Sequence, residues 1–323
     1  MRLSTLALCA VSLLGAQVAS AQQSQNYPSK PIRFVIGFPA GSSVDVVPRM
    51  VLDEIRKNTG ATIIVDNRPG ALGTIGMDQV TRADPDGYTL LASASATHSS
   101  GPQLTKKPPA VDPIKGFTHI GGIFRFDVGV VVNPSQGYKS AQDLVEAARR
   151  NPDKLTFGYG SATGQVAALA FITAAGIKAT GVSYKGQPPA LNDLLGNQIN
   201  FVAADLAVLV PHIRSGKLVA VGIAARKRSP IVPEVPTFAE AGVKDLELSG
   251  WAGVSGPAGL PANVVDWWTK ALTQAFSSKA LNDRILATGI EPEPATGEAM
   301  QRLVREQHDT WGKHIRAAKI ELE

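Results

Sequence analysis

The chain has 323 residues, enough for two domains, with 44% hydrophobic residues and a net charge of +5. Lys and Arg are scattered and aromatics make up only 6%, so the basic stripe with interleaved aromatics of a nucleic-acid-binding protein is missing. The one cysteine, Cys9, falls in the first residues; beyond it, disulfide frameworks and Cys-based metal sites are excluded.

Residues 1–21 read as a secretory leader. Arg2 supplies a positive start, Leu3–Val18 is mostly apolar, and Ala19-Ser20-Ala21 is a small-residue cleavage site before Gln22. The stretch is too short for a span, which needs ~20 apolar residues. A periplasmic location follows for the mature chain.

The rest reads as strand–loop–helix units. Residues 31–38 form an apolar run bounded by prolines, a buried strand. Loop 39–43 leads into a helix over 44–58, with apolar residues at 44, 47, 51, 52 and 55, stopped by Gly60. Strands are expected at 61–65, 88–92, 127–132, 155–157, 181–184, 199–203 and 218–224. Helices are expected up to Arg82, from Ser140 to Arg150, over 165–175 and 188–195, and through the region beyond Asn263. The alternation predicts parallel sheets with helices on both faces. Glycine- and serine-rich loops at 39–43, 69–76, 93–100 and 158–164 enter helices, where backbone N–H groups and a positive helix end suit an anion. Two lobes facing each other across an anion-binding cleft fit this pattern.

An ordered series of motifs carries a family resemblance. It runs through Tyr27-Pro-Ser-Lys-Pro-Ile-Arg, Phe38-Pro-Ala-Gly, Asn67-Arg-Pro-Gly-Ala, Pro85-Asp-Gly-Tyr-Thr-Leu-Leu, Tyr184-Lys-Gly, Asp193-Leu-Leu-Gly, Pro211-His-Ile-Arg-Ser-Gly-Lys-Leu and Val235-Pro-Thr-Phe-Ala-Glu-Ala-Gly. The chain resembles the Bug family, periplasmic substrate-binding proteins of tripartite tricarboxylate transporters, over about residues 27–320. The resemblance implies an α/β, type II periplasmic-binding-protein-like fold with two lobes around a ligand cleft. It implies lobe 1 over 27–124 and 246–323, and lobe 2 over 125–245. It also implies a monomer that delivers a small carboxylate to membrane permease subunits, with no cofactor.

The residues expected at the ligand are Phe38, Ala40, Ser42, Ser43, Asp45, Thr74, Ser95, Ser161, Thr163, Gly164, Tyr184, Asp205 and Trp251. Ser42, Ser43, Ser161 and Thr163 either donate hydroxyls to a carboxylate or cap the helices they precede. Asp45 touches the ligand or supports the helix start. Asp205 accepts from a ligand amino or hydroxyl group, or orders loops through backbone N–H groups. Trp251 is a cleft wall or an ordinary core residue. Val44 and Leu72 stand where the family has polar or glycine residues. Facing the cleft, they would favour an aromatic or apolar-bodied carboxylate over citrate; turned inward, they would not.

Enzyme motifs fail. Tyr159-Gly160-Ser161-Ala162-Thr163 lacks the flanking glycines of G-x-S-x-G, and Gly181–Gly186 is followed by Gln187 where a P-loop needs Lys. His98, His119, His212, His308 and His314 show no zinc-protease spacing. A periplasmic hydrolase with dispersed residues, or a receptor signalling to a sensor kinase, stays as an alternative.

Overall fold

A computed structural model describes residues 27–106, 110–151, 154–184 and 186–320. The expected leader, with Cys9, lies outside the described residues, as do Lys185 and the side chain of Leu72.

The first sheet is built on β1 (Ile32–Ile36), which pairs in parallel with β2 (Ile63–Asn67) and β3 (Thr89–Ala94). Ile32, Phe34, Val35 and Ile36 are all buried, so both faces of β1 are covered. The Ser43–Thr59 helix lays Val44, Val47, Val51, Leu52 and Ile55 on one face of this sheet, against Trp268 and Leu272 of the Ala262–Phe276 helix. Truncating a buried leucine such as Leu52 costs about 2–5 kcal/mol. Gly60 ends the helix at φ 70°, a left-handed position that glycine adopts without a Cβ penalty.

The second sheet joins β5 (Thr156–Tyr159), β6 (Thr180–Ser183) and β7 (Phe201–Asp205) in parallel. Its core stacks Phe157 on Phe201, centroids 5.5 Å apart, with Phe171 of the Ala162–Ala175 helix packed edge-on.

One long strand, β4, ties the sheets together with β9 beside it, and both pair antiparallel, unlike the all-parallel expectation. β4 (Phe117–Val132) pairs with β9 (Ser249–Pro257) along Phe117–Asp127; from Val128 onward it pairs instead with β7 and with β8 (Val219–Ile223). The chain therefore leaves the first lobe between Asp127 and Val128. It returns between Leu248, whose N–H donates to Ala224 O at 2.8 Å, and Ser249, which pairs with Asp127. Both switches fall three residues after the expected boundaries at 124 and 245.

Residues 117–126 and all of β9 escape a sequence reading because glycines and bulges break the two-residue period. The register slips between His119 and Gly121 and again between Gly122 and Phe124. A Cβ on Gly253 would lie 2.5 Å from Gly121 O, so the crossing strands approach too closely for any side chain there.

The assignment of the C-terminal helices to lobe 1 needs one correction. The Glu298–Ala317 helix packs Met300 and Val304 on Trp251, but its Trp311 and Ile315 belong to the second lobe's core. It straps the two lobes. The Leu206–Arg214 helix and the wide turn at Ala96–Ser100 were also not expected. No helix among the described residues is long and apolar enough to cross a membrane.

Beneath β3 and β9 lies a buried polar network. His119 Nδ1 meets Ser255 Oγ at 2.9 Å, and Ser255 donates to Ser93 Oγ at 2.9 Å. His98, fully buried, meets Thr97 Oγ1 at 2.8 Å through Nδ1. Burial lowers both histidines, His119 from 6.5 to about 4. A histidine depressed in this way contributes its full stability above pH 6.5, and the contribution is lost as pH falls toward 4. The advantage of wild type over His119→Gln, measured by urea unfolding at about pH 7.5, is therefore expected to shrink by about 3 kcal/mol at about pH 4. A pH-independent difference would show that His119 is not held neutral.

Candidate functional site: the inter-lobe cleft

A cavity of ≈ 360 Å³ opens between the lobes. The first lobe gives Gly41, Ser42 and Ser43; the second gives Gln187, Pro188, Asp205, Ala207 and Val208; Phe126 and Ile290 form the floor at the crossing. Among the described residues, no Lys or Arg lines it. Three helices start at its walls: Ser43–Thr59, Gln187–Leu195 and Leu206–Arg214. The first turns of a helix leave backbone N–H groups without intrahelical acceptors, and those ends carry partial positive charge. Such helix starts suit an anion.

The first-lobe loop is set by Asp45. Its Oδ2 accepts from Gly41 N–H at 2.9 Å, and its Oδ1 accepts from Arg49 Nε at 2.8 Å and Asn67 Nδ2 at 2.9 Å. Asn67 also donates to Phe38 O at 3.0 Å. Burial raises the Asp45 carboxyl, but the bonds from Asn67, Gly41 and Arg49 outweigh it and hold the group below the usual range. Asp45 is thus spent inside the protein, which favours the second of its two readings, support of the helix start. Ser42 makes no side-chain cap bond; its hydroxyl donates to Pro39 O at 2.8 Å.

In the second lobe Ser161 caps its helix, its Oγ accepting from Gly164 N–H at 3.1 Å. Gln187 joins two loops: its Nε2 donates to Ser161 Oγ at 3.2 Å and its Oε1 accepts from Asp205 N–H at 3.3 Å. Gly164 packs so closely on β7 that a Cβ would lie 2.5 Å from Ala203 O. Thr163 stands half-buried in the same first turn.

Asp205 is the unsatisfied group. It precedes the Leu206–Arg214 helix without capping it, and its Oδ1 is shut from solvent with no partner among the described residues. Burial pushes its carboxyl up to about 6, against the opposing contact with Gln187.

Packing places four other residues away from the cavity lining. Trp251 is 1% exposed, packed on Met300 and Val304, with Nε1 donating to Ser99 Oγ at 3.4 Å; it is a core residue, not a cleft wall. Ser95 is buried beside it, accepting from Trp251 N–H at 3.3 Å. Tyr184 gives its hydroxyl to Asp193 Oδ2 at 2.7 Å, and burial with that bond pushes it up to about 12. Val44 turns into the first-lobe core. Phe38 packs half-buried on that core, Ala40 is exposed, and Thr74 donates to Ala71 O at 2.8 Å. Gln187, Phe126 and Ile290 were missed. Only Gln187 left a signal, a polar residue opening a helix after Gly186.

This chain matches the family model described as "Tripartite tricarboxylate transporter family receptor" over residues 47–320. It belongs to that receptor family. Protein BugT of Bordetella pertussis is 29% identical over 322 residues, covering 98% of each chain. Among solved structures, Rpa4515 of R. palustris with adipate is 27% identical with a TM-score of 0.81, covering 92% of this chain and 100% of that one. MatC (Rpa3494) of Rhodopseudomonas palustris with bound malate is 27% identical with a TM-score of 0.76, covering 90% and 100%. The receptor fold is thus a two-lobed periplasmic-binding-protein fold, as the motifs implied.

Asp45 generates a test of the loop's construction. Asp45→Asn strips the charged acceptor from Gly41, Arg49 and Asn67 and is expected to destabilise the protein by about 1–3 kcal/mol. Urea unfolding measures it. An unchanged midpoint would show that the Gly41–Ser43 loop is held by other contacts.

Proposed function

We propose that this receptor captures a small carboxylate in the inter-lobe cavity and passes it, unreacted, to the membrane subunits of a tripartite transporter. It works as a periplasmic monomer after removal of the leader. The observation that carries the reading is the convergence of three helix starts on a cavity that no described Lys or Arg lines, in a family with structures holding adipate and malate.

The ligand carboxylate sits against the N–H groups opening the Ser43–Thr59 helix, with the Ser42 and Ser43 hydroxyls beside it. Ser161, Thr163 and Gly164 shape the opposite lobe, and Gln187 presents its amide there. Asp205 gives the site its selectivity. A second anion facing Asp205 would be repelled, so a hydroxyl or amino group of the ligand donates to its carboxylate. Phe126, Pro188, Ala207, Val208 and Ile290 favour an apolar body, methylene or ring, worth ~25 cal/mol per Å² buried. This support replaces that of Val44.

Thermal melting across hydroxy-, amino- and unsubstituted carboxylates, including benzoate-type acids and citrate, tests the proposal. A ligand at 100 times its dissociation constant adds ~2.7 kcal/mol. Asp205→Asn is expected to weaken hydroxy- or amino-acids by roughly tenfold, in line with ~1–3 kcal/mol for a buried charged acceptor, and to leave unsubstituted acids equal or tighter. Loss of all acids alike would make Asp205 structural. Conversion of any bound acid, ester or amide to product, abolished by a cleft mutation, would overturn the receptor reading.

A further inference from the structure

The lobes also meet at the turn that follows the Lys279–Ala287 helix of the first lobe. Gly289 in this turn is buried, with φ 80°. A Cβ on it would lie 2.9 Å from Ala207 Cα and 3.5 Å from Ala207 Cβ. Ala207 belongs to the second lobe, in the first turn of the Leu206–Arg214 helix, yet it packs against the first lobe's core. Ala207 and Ile290, the residue after Gly289, both line the ligand cavity. Two backbones from opposite lobes therefore touch at the edge of that cavity.

The turn is not free to yield. Gly289 N–H donates to Leu286 O at 3.0 Å, closing the helix behind it. Ahead of it, Glu291 and Pro292 pair antiparallel with Arg125 and Phe124 of β4. The Glu291 carboxylate accepts from Arg125 Nη2 at 2.8 Å and, from the second lobe, from Ser229 Oγ at 2.7 Å. A helix end on one side and a strand pair on the other hold Gly289 in place. The spacing of the lobes at the cavity thus has no room for one more carbon, since a Cβ that close to a backbone carbon forces something to shift.

We propose that Gly289 is a specificity-determining residue: by bringing no side chain against Ala207, it lets the lobes close to a spacing that fits short carboxylic acids and excludes longer ones. The inference rests on the cavity being the carboxylate site. Gly289 is not in the cavity lining, so it acts through the spacing alone. A carbon inserted between Gly289 and Ala207 moves the lobes apart and enlarges the ≈ 360 Å³ cavity they enclose.

The test is calorimetric titration of the purified protein with straight-chain acids from acetate to octanoate and with their α-hydroxy counterparts. Wild-type affinity is expected to rise with chain length until the cavity is full and to fall beyond it. Gly289→Ala is expected to weaken the short acids by roughly tenfold and the longest by no more than about twofold, moving the optimum to a longer chain. A general loss of stability would not move that ratio. Gly259→Ala is the control for backbone strain. Gly259 is exposed at φ 84° with nothing within 4 Å of an added Cβ, so its variant should keep the wild-type optimum. Should Gly289→Ala fail to fold, Gly289→Asn carries the comparison, because Asn tolerates the left-handed conformation better. An unmoved optimum in a folded Gly289 variant, or an equal shift in Gly259→Ala, would overturn the inference. Wild type that binds acids of every length alike would overturn it and leave the carboxylate site standing. Wild type that binds no carboxylate at all would overturn both.

Discussion

The pairing of Asp127 with Ser249 is the constraint on which the rest depends. On one side of it β4 and β9 are neighbours in the first sheet; one residue further, Val128 lies opposite Asp205 in the second. Among the described residues β4 alone pairs in both sheets, with β9 beside it up to Asp127, and their glycines let the two run backbone to backbone. A junction of two strands resists shear, because ladder hydrogen bonds must break, but yields to bending through soft dihedrals. Two lobes so joined have one easy relative motion, a hinge. The C-terminal helix limits that motion by packing one end on Trp251 and the other in the second lobe's core.

Strand alternation at this junction decides what faces the ligand. Phe126 goes to the cleft and Asp127 to the rear, while β7 ends by delivering Asp205 to the cleft wall. Each helix start contributes roughly half a positive charge, fixed in direction and needing no side chain to order. An arginine clamp would bind an anion more tightly but would lose side-chain freedom and slow release. A receptor that must surrender its ligand to a membrane partner is better served by dipoles. On the proposed reading Asp205 opposes them: a bare anion gains from the helices and loses at Asp205, whereas an acid bearing a donor gains at both.

Much of the fold was legible because buried parallel strands are short apolar runs between glycines and prolines, as at 32–36 and 63–67, and because Gly60 and Ser140 punctuate helices in the expected way. The crossing strands were not, since their logic is close approach rather than hydrophobic pattern. The site was only partly legible. Loop chemistry pointed to Ser42, Ser43, Ser161 and Asp205, but the same chemistry pointed to Asp45, whose bonds run inward. A sequence marks a carboxylate near a helix start; it does not say whether Arg49 and Asn67 reach it first. Trp251 shows the same gap. Its motif position suggested a cleft wall, and the long-range packing of Met300 and Val304 decides otherwise.

Two carboxyls flank the hinge, one residue apart across the β4–β7 ladder, and each keeps an unpartnered oxygen. Neither arrangement is the most stable available, since an apolar or hydrogen-bonded residue would relieve each site. Asp205 is intelligible as a selectivity element, whose deficit the right ligand cancels on binding. Asp127 keeps its unpartnered oxygen on the other face, beside the Arg125 guanidinium, whose Nε is likewise without a hydrogen-bond partner.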